Sequence, residues 1–247
     1  MAVEFGWPHR HFRSTDSTNE RAKELAISGA SGGLVVTADQ QSAGRGRRGT
    51  AWFAPPGSAL LYSALARPFA AADAPLLPLA VPLAVCEAAE TVAPVRCRVK
   101  WPNDVWIDER KLAGVLVEAR PDEGWAVIGV GVNVAIAAED FPPELRETAT
   151  SLVPTEAEGG LPPGGAPSVR DTLGALNDSL GRWLEATDDE VLSAYRARDA
   201  LAGKRISWDG GDGLVKQVDE RGHLEVERDS GERVTLGAGE VHLAIER

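Results

Sequence analysis

Two hydrophobic rhythms alternate along the chain, and they predict where helices give way to strands. Residues 12–30 open with Ser14-Thr15-Asp16-Ser17-Thr18-Asn19, continue as Glu20-Arg21-Ala22-Lys23-Glu24-Leu25-Ala26-Ile27 and close on Gly29. A hydroxyl-rich start and a glycine stop predict a helix. Residues 34–38 and 59–65 are short β-branched or apolar runs and predict two strands flanking a loop. Residues 76–92 carry an apolar helical pattern, with Pro78 and Pro82 predicting a late start or a kink. Residues 95–100 alternate as a strand that runs into Pro102 and a polar turn at Asn103 and Asp104. A hairpin is expected over residues 105–118, and a further arm over residues 125–134. Residues 154–167, rich in Gly, Pro and Glu, read as a mobile loop. Helical spacing returns over residues 169–198. After Gly203 the pattern changes to short strands broken at Asp209-Gly210-Gly211, Glu220-Arg221-Gly222 and Asp229-Ser230-Gly231, which predicts a small all-β module.

Composition narrows the class. A chain of 247 residues holds one sizeable core and has room for a second, smaller module. No run approaches the ~20 apolar residues of a membrane span, and the N-terminus lacks a basic region followed by an apolar core, so the cytoplasm is the expected compartment. Cys86 and Cys97 form no Cys-x-x-Cys pair and read as buried free thiols; His9, His11, His223 and His242 form no ligand set, so no transition metal is expected. The net charge of -11 disfavours DNA, RNA and anionic membranes as partners.

Against that acidic background, Gly44-Arg45-Gly46-Arg47-Arg48-Gly49 stands out. Glycine lets a backbone approach a ligand closely, and guanidinium forks match phosphate or carboxylate oxygens. The loop is expected to wrap a small anion and to be mobile until one arrives. The alternatives are a solvated turn or a polynucleotide contact. Trp52 and Phe53, just after it, read as a hydrophobic anchor or a base-stacking platform, and Ser17, Thr18 and Asn19 as helix caps or as ligand contacts at a helix start.

Five blocks in this order, Asp16-Ser17-Thr18-Asn19, Gln41 to Gly49, Lys100-Trp101-Pro102-Asn103-Asp104, Lys111 to Glu118 and Gly129-Val130-Gly131-Val132-Asn133, resemble the biotin protein ligase family. The resemblance runs from Ser14 to the C-terminus and weakens after Asn133. It implies an α+β fold: a mixed β-sheet backed by helices, of the class II synthetase-like biotin–lipoate ligase type, over residues 1–200, and a small SH3-like β-barrel over residues 201–247. It also implies ATP-dependent conversion of biotin to biotinyl-5'-AMP with Mg2+ on the phosphates, then transfer to one lysine of a biotin carboxyl carrier domain of an acyl-CoA or pyruvate carboxylase. By position, Ser17, Thr18, Asn19 and Gln41 would meet biotin's ureido end, and Arg45, Gly46 and Arg47 would close over biotin and the adenylate phosphate. Lys111, beside Gly114, would hold the carboxylate and then the acyl phosphate. Arg48, Trp52, Asn103, Asp104 and Asn133 would line the nucleotide side together with Arg45, Arg47 and Lys111, with Asp104 also a candidate Mg2+ ligand. Arg45, Arg47 and Lys111 are then the catalytic cations. About a dozen residues precede Ser14, so no helix-turn-helix and no DNA partner are expected; a homodimer is left open.

Plainer readings compete with these. Trp52 and Trp101 suit a core, Asp104 a turn, and Lys111 a solvated hairpin. A lipoate or octanoate ligase or transferase shares the implied fold but calls for a long apolar tunnel, where this chain offers a Ser/Thr/Asn block and Gln41. A nucleic-acid module built on the Arg/Gly loop is the reading from another class, disfavoured by the charge balance.

Overall fold

Strand pairing along one seven-stranded sheet decides where the helix start and the Arg/Gly loop end up. In a computed structural model that describes residues 4–73, 75–153, 166–237, 239 and 241–243, β1 (His9–Phe12) is followed by α1 (Thr18–Ile27), β2 (Val35–Ala38), β3 (Ala59–Ala66) and α2 (Leu77–Val92). The chain continues through β4 (Arg98–Lys100), β5 (Asp104–Ile107), β6 (Arg110–Arg120), β7 (Trp125–Asn133), α3 (Val169–Glu185) and α4 (Asp188–Arg198). Strand order in the sheet is β1-β2-β3-β7-β6-β5-β4, with β1 parallel to β2 and the remaining pairs antiparallel. The mixed α/β architecture with a large mixed sheet agrees with the expectation.

The sheet is covered on both faces. Ala22 and Ala26 of α1 pack with Leu34, Val36, Leu65, Trp125 and Val127 on one face, while α2, α3 and α4 bury the other against Leu60, Tyr62, Val115, Ile128 and Val130. Pro78 falls in the first turn of α2, where its missing N–H costs nothing, and Pro82 lies inside the helix, which continues through it to Val92. The helical stretch over 169–198 divides into two helices at Thr187, whose side chain accepts from the Glu190 N–H while Glu190 accepts from the Thr187 N–H. Asp108 and Glu109, with φ of 47° and 63°, make the tight turn of the β5–β6 hairpin. Cys86 and Cys97 are buried and free. Apart from its last two positions, the loop expected over 154–167 lies outside the described residues. Among the described residues no helix is long and apolar enough to cross a membrane.

The C-terminal module comprises β8 (Arg205–Trp208), β9 (Gly211–Val218), β10 (Leu224–Glu227), β11 (Arg233–Leu236) and β12 (Val241–Leu243). They form an open sheet in the order β11-β10-β9-β8-β12. The expected barrel closure is therefore not seen among the described residues: β11 and β12 occupy the two edges and no pairing joins them. The module shares a continuous apolar core with the larger sheet, through Ile206, Val215, Leu224 and Val226.

A partly buried ion pair locks the helical layer. Arg198, at the end of α4, donates through Nη1 and Nη2 to the two carboxylate oxygens of Glu90 in α2 at 2.6 and 2.7 Å, and Glu90 also accepts from the Cys97 N–H at 2.9 Å. Burial pushes the Glu90 carboxyl up, but the Arg198 and Cys97 hydrogen bonds outweigh it and hold the group below its ordinary range. A depressed folded-state value means that the stabilisation is complete above the unfolded carboxylate value and is lost as pH falls through the lowered one. Glu90→Gln should therefore cost about 2 kcal/mol at neutral pH. The difference from wild type should vanish in acid, as read by urea unfolding at several pH values.

Candidate active site

The parallel ladder of β1 and β2 continues past both strands as a Thr15–Gln41 bridge, with Ser42 N–H donating to Thr15 O and Ala43 N–H to Asp16 O at 2.9 Å. This sets the start of α1 beside the start of the Arg/Gly loop. The loop is itself a small closed turn: Gly46 N–H donates to Thr50 O at 2.7 Å and Trp52 N–H to Gly44 O at 3.0 Å. Gly44 packs close to Gln41, where a β-carbon would sit 2.7 Å from Nε2. Arg48 takes φ 57° inside the turn.

Beneath the loop the sheet presents bare backbone. Register pairs Gly131 of β7 with Gly114 of β6 and with Leu61 of β3, and pairs Gly129 with Leu116 and Ser63. A β-carbon on Gly131 would lie 2.6 Å from the Trp52 ring, and one on Gly129 would lie 2.2 Å from Asn19 Oδ1. Trp52 and Asn19 therefore lie flat on the strand. Asn19, Thr18, Ser17 and Ser63 are buried and joined to Gln41: Ser63 Oγ lies 2.6 Å from Asn19 Oδ1 and 2.8 Å from Thr18 Oγ1, and Thr18 N–H donates to Gln41 Oε1 at 2.7 Å.

At the other end, a register shift between Val105 and Trp106 pairs Lys111 with Trp106 and Ala113 with Val105, which leaves Leu112 as the extra residue. The bulge turns Leu112 into the core and Lys111 toward the glycine floor. Lys111 Nζ reaches Asp104 Oδ1 at 2.7 Å and stands 5.7 Å from the Trp52 ring centre. Asn103 braces the turn by donating from Nδ2 to Val115 O at 2.7 Å while its carbonyl accepts from Val115 N–H.

These groups line one cavity of about 190 Å3. Ser17, Thr18, Asn19, Gln41, Arg45, Gly46, Arg47, Arg48, Trp52, Asn103, Asp104, Lys111 and Gly114 all border it. Lys100 is a fifth cation in the wall, and Asp104 is the one carboxylate there among the described residues. Gly239 and Val241 of the C-terminal module contribute to the rim. Asn133 stands apart: it is buried behind the lining, donates from Nδ2 to Thr150 O at 2.9 Å and, among the described residues, has no partner for Oδ1. Trp52 Nε1 is likewise buried with no hydrogen-bond partner among the described residues. Trp101 is a core residue at 1% exposure.

A family model for the biotin/lipoate A/B protein ligase family matches residues 11–134, a span that holds every one of the expected site residues. A biotin--[acetyl-CoA-carboxylase] ligase from Mycobacterium tuberculosis is 34% identical over 92% of this chain and 85% of its own length. The chain belongs to the biotin/lipoate A/B protein ligase family. It is also 38% identical, over 58% of its length, to a bifunctional ligase/repressor BirA from Bacillus spizizenii; the matched segment spans less than half of that relative, 45%. A biotin protein ligase from Aquifex aeolicus, solved in complex with biotin and ATP, superposes with a TM-score of 0.79 at 27% identity, covering 96% of this chain and 99% of that one.

Several residues that build the site carry no signal strong enough to single them out in sequence. Ser63 hides in an apolar run, and nothing in the local pattern marks out Glu20, Lys23 or Glu118 among the chain's many charges. In the structure Glu20 pairs with Arg45 of the loop and with Lys23 at 2.9 Å, and Lys23 pairs with Glu118 at 2.9 Å. Burial lowers the Lys23 ammonium's pKa, but hydrogen bonds to Glu20 and Glu118 more than offset it and leave the group raised. The cue in hindsight is period 2: Gly114, Leu116 and Glu118 share the face of β6 that α1 covers.

The glycine floor generates a graded expectation. Gly129→Ala should destabilise by about 1 to 3 kcal/mol, because the new methyl meets a side chain held on two sides. Gly114→Ala should cost less, since its nearest neighbours at 3.2 to 3.3 Å include the flexible end of Lys111. Chemical unfolding of the two variants checks the order.

Proposed function

We propose that this chain activates biotin with ATP and passes it to a carrier lysine, in keeping with the names of its relatives. The observation that carries this reading is the cavity itself, whose wall among the described residues combines five cations and one carboxylate with the buried Ser17, Thr18 and Asn19. In the first step the biotin carboxylate attacks the α-phosphorus of ATP, forming the mixed anhydride and releasing pyrophosphate. Bringing two anions together needs fixed positive charge, which Arg45, Arg47 and Lys111 supply as the catalytic set, with Arg48 beside them on the nucleotide side. In the second step a lysine amine attacks the acyl carbon, the amide forms, AMP leaves, and the amine gives up a proton.

Ser17, Thr18, Asn19 and Gln41 suit the ureido end, whose carbonyl and two N–H groups need both donors and acceptors. Gly46 and Gly114 keep the cavity wall free of bulk. Trp52, Asn103 and Asp104 suit the nucleotide side, and the buried Trp52 Nε1, which has no hydrogen-bond partner among the described residues, suits a ring nitrogen that accepts. Mg2+ has no protein cage here: among the described residues no three His, Cys, Asp or Glu side chains cluster for a metal. It would arrive on the ATP phosphates, with Asp104 the carboxylate able to share it. When bound, the ion offsets phosphate charge.

The same reading takes residues 1–200 as the ligase domain and 201–247 as an SH3-like module, with a carboxylase carrier domain as macromolecular partner and the cytoplasm as location. The Arg/Gly loop closes over the anhydride and shields it from water.

The direct test is exchange of labelled pyrophosphate into ATP with biotin or lipoate present; exchange is expected with biotin alone, and its absence would defeat the proposal. Arg47→Ala should still form the adenylate but release it to solvent, so retention equal to wild type would count against the closing loop. Lys111→Ala should lose about 3 kcal/mol of transition-state stabilisation, on the scale of one oxyanion donor, measured as the rate of pyrophosphate release with biotin saturating.

A further inference from the structure

We propose that Glu20 is a positioning residue that competes with ligand anions for Arg45, so that the Arg/Gly loop commits this cation to the cavity only against an incoming carboxylate or phosphate. This rests on the ligase reading above. Glu20 lies in the first turn of α1 and is absent from the cavity lining, whereas Arg45 belongs to it.

Arg45 and Lys111 each hold a carboxylate, but on different sides of the cavity boundary. Lys111 Nζ reaches Asp104 Oδ1 at 2.7 Å, and both of those residues line the cavity. Arg45 Nη2 instead donates to Glu20 Oε1, outside the lining. A fork-to-fork contact with phosphate or carboxylate uses two guanidinium nitrogens in parallel, and Glu20 already holds one of them. Lys111 can meet a ligand where it stands; Arg45 has to change partner.

The change is inexpensive because Glu20 keeps a second cation. The same Oε1 accepts from Lys23 Nζ at 2.9 Å, and Lys23 also pairs with Glu118 Oε1 at 2.9 Å. When Arg45 leaves, no partly buried carboxylate is stranded. With Arg45 about half exposed, its contact to Glu20 is of the weak, salt-screened kind, enough to hold a side chain and too little to outlast a ligand. Removing Lys23 should act against removing Glu20: with Glu118 close by and uncompensated, Glu20 would grip Arg45 harder.

Calorimetric titration of the full chain at low and high salt tests this, with biotin, with its neutral amide, and with ATP added to amide-saturated protein. Glu20→Gln should tighten biotin, ATP or both by about two- to fivefold, and the ligand that gains identifies the incoming anion as carboxylate or phosphate. Biotinamide should stay unchanged, and high salt should shrink the gain. K23Q should weaken the same ligand relative to biotinamide, which reports any disturbance passed on through Glu118 and Asn19; E20Q/K23Q should follow E20Q. Glu24→Gln neutralises another α1 carboxylate, one that pairs with Arg21 at 2.9 Å. It should leave every affinity unchanged and so separates the contact from net charge. The proposal is overturned if neither anionic ligand gains in E20Q, if biotinamide gains as much, or if E24Q reproduces the gain. Wild type that binds no biotin defeats the ligase reading instead.

Discussion

The middle of β7 has to be bare. Asn19 and Trp52 come from different ends of the site, one from a helix start and one from the loop, and each lies against the strand where a β-carbon at Gly129 or Gly131 would collide with it. Strands favour residues that fill space, and glycine weakens them through backbone entropy. Here the cost is spread over a strand paired along its whole length on both sides, with β3 and β6. Close approach removes water from Asn19, Thr18 and Ser63 together, and buried polar groups without water have to satisfy one another in a fixed order. A site of defined donors and acceptors thus follows from a strand without side chains.

The cationic end obeys a different rule. In a chain of net charge -11, arginines and lysines attract internal carboxylates, as Arg45 does on Glu20 and Lys111 on Asp104. Arg45 is 46% exposed in its pair, and ion pairs of that kind are worth about 0 to 1 kcal/mol. A ligand phosphate that offers a bidentate contact in a drier setting outcompetes such a partner. Glu20 therefore holds Arg45 near the cavity without fastening it. Lys111 is oriented more firmly, because its backbone donates to Thr148 O at 2.7 Å and accepts from Thr150 N–H at 2.9 Å, and because the bulge aims it.

What could be read from sequence divides along physical lines. β3, α2, the β5–β6 hairpin and the Arg/Gly loop rest on local chemistry, namely apolar periodicity and glycine, and they were legible, although Pro78 and Pro82 pointed to a late start or a kink where α2 runs from Leu77 through Pro82 to Val92. The parallel β1–β2 pairing was not, because His9-Arg10-His11-Phe12 is an exposed edge strand without apolar alternation, and its partner lies beyond a helix. The bulge at Leu112 was invisible for a related reason: period 2 alone would put Leu112 with Gly114 and Leu116 on the site face. The break at Thr187 was written in a capping box but masked by continuing helical spacing. The site residues named in advance came together around one cavity except Asn133, while Ser63 and Glu118 were passed over, since their meaning lies in which strand faces which helix.

The two sheets meet beside the turn that lines the cavity with Asn103 and Asp104. Trp101 is buried, donates from Nε1 to Gly222 O at 3.0 Å, and is followed by Pro102, Asn103 and Asp104. Arg196 of α4 donates to Val218 O at 3.1 Å, and Val99 of β4 bridges Asp199. Exposing an indole of this kind costs several kcal/mol, so swinging the C-terminal sheet away would also pull on the residue that precedes Asn103 and Asp104. The small sheet is better understood as a brace on the turn at Asn103 and Asp104 than as an appended module, and Gly239 and Val241 in the cavity lining are where that bracing reaches the site.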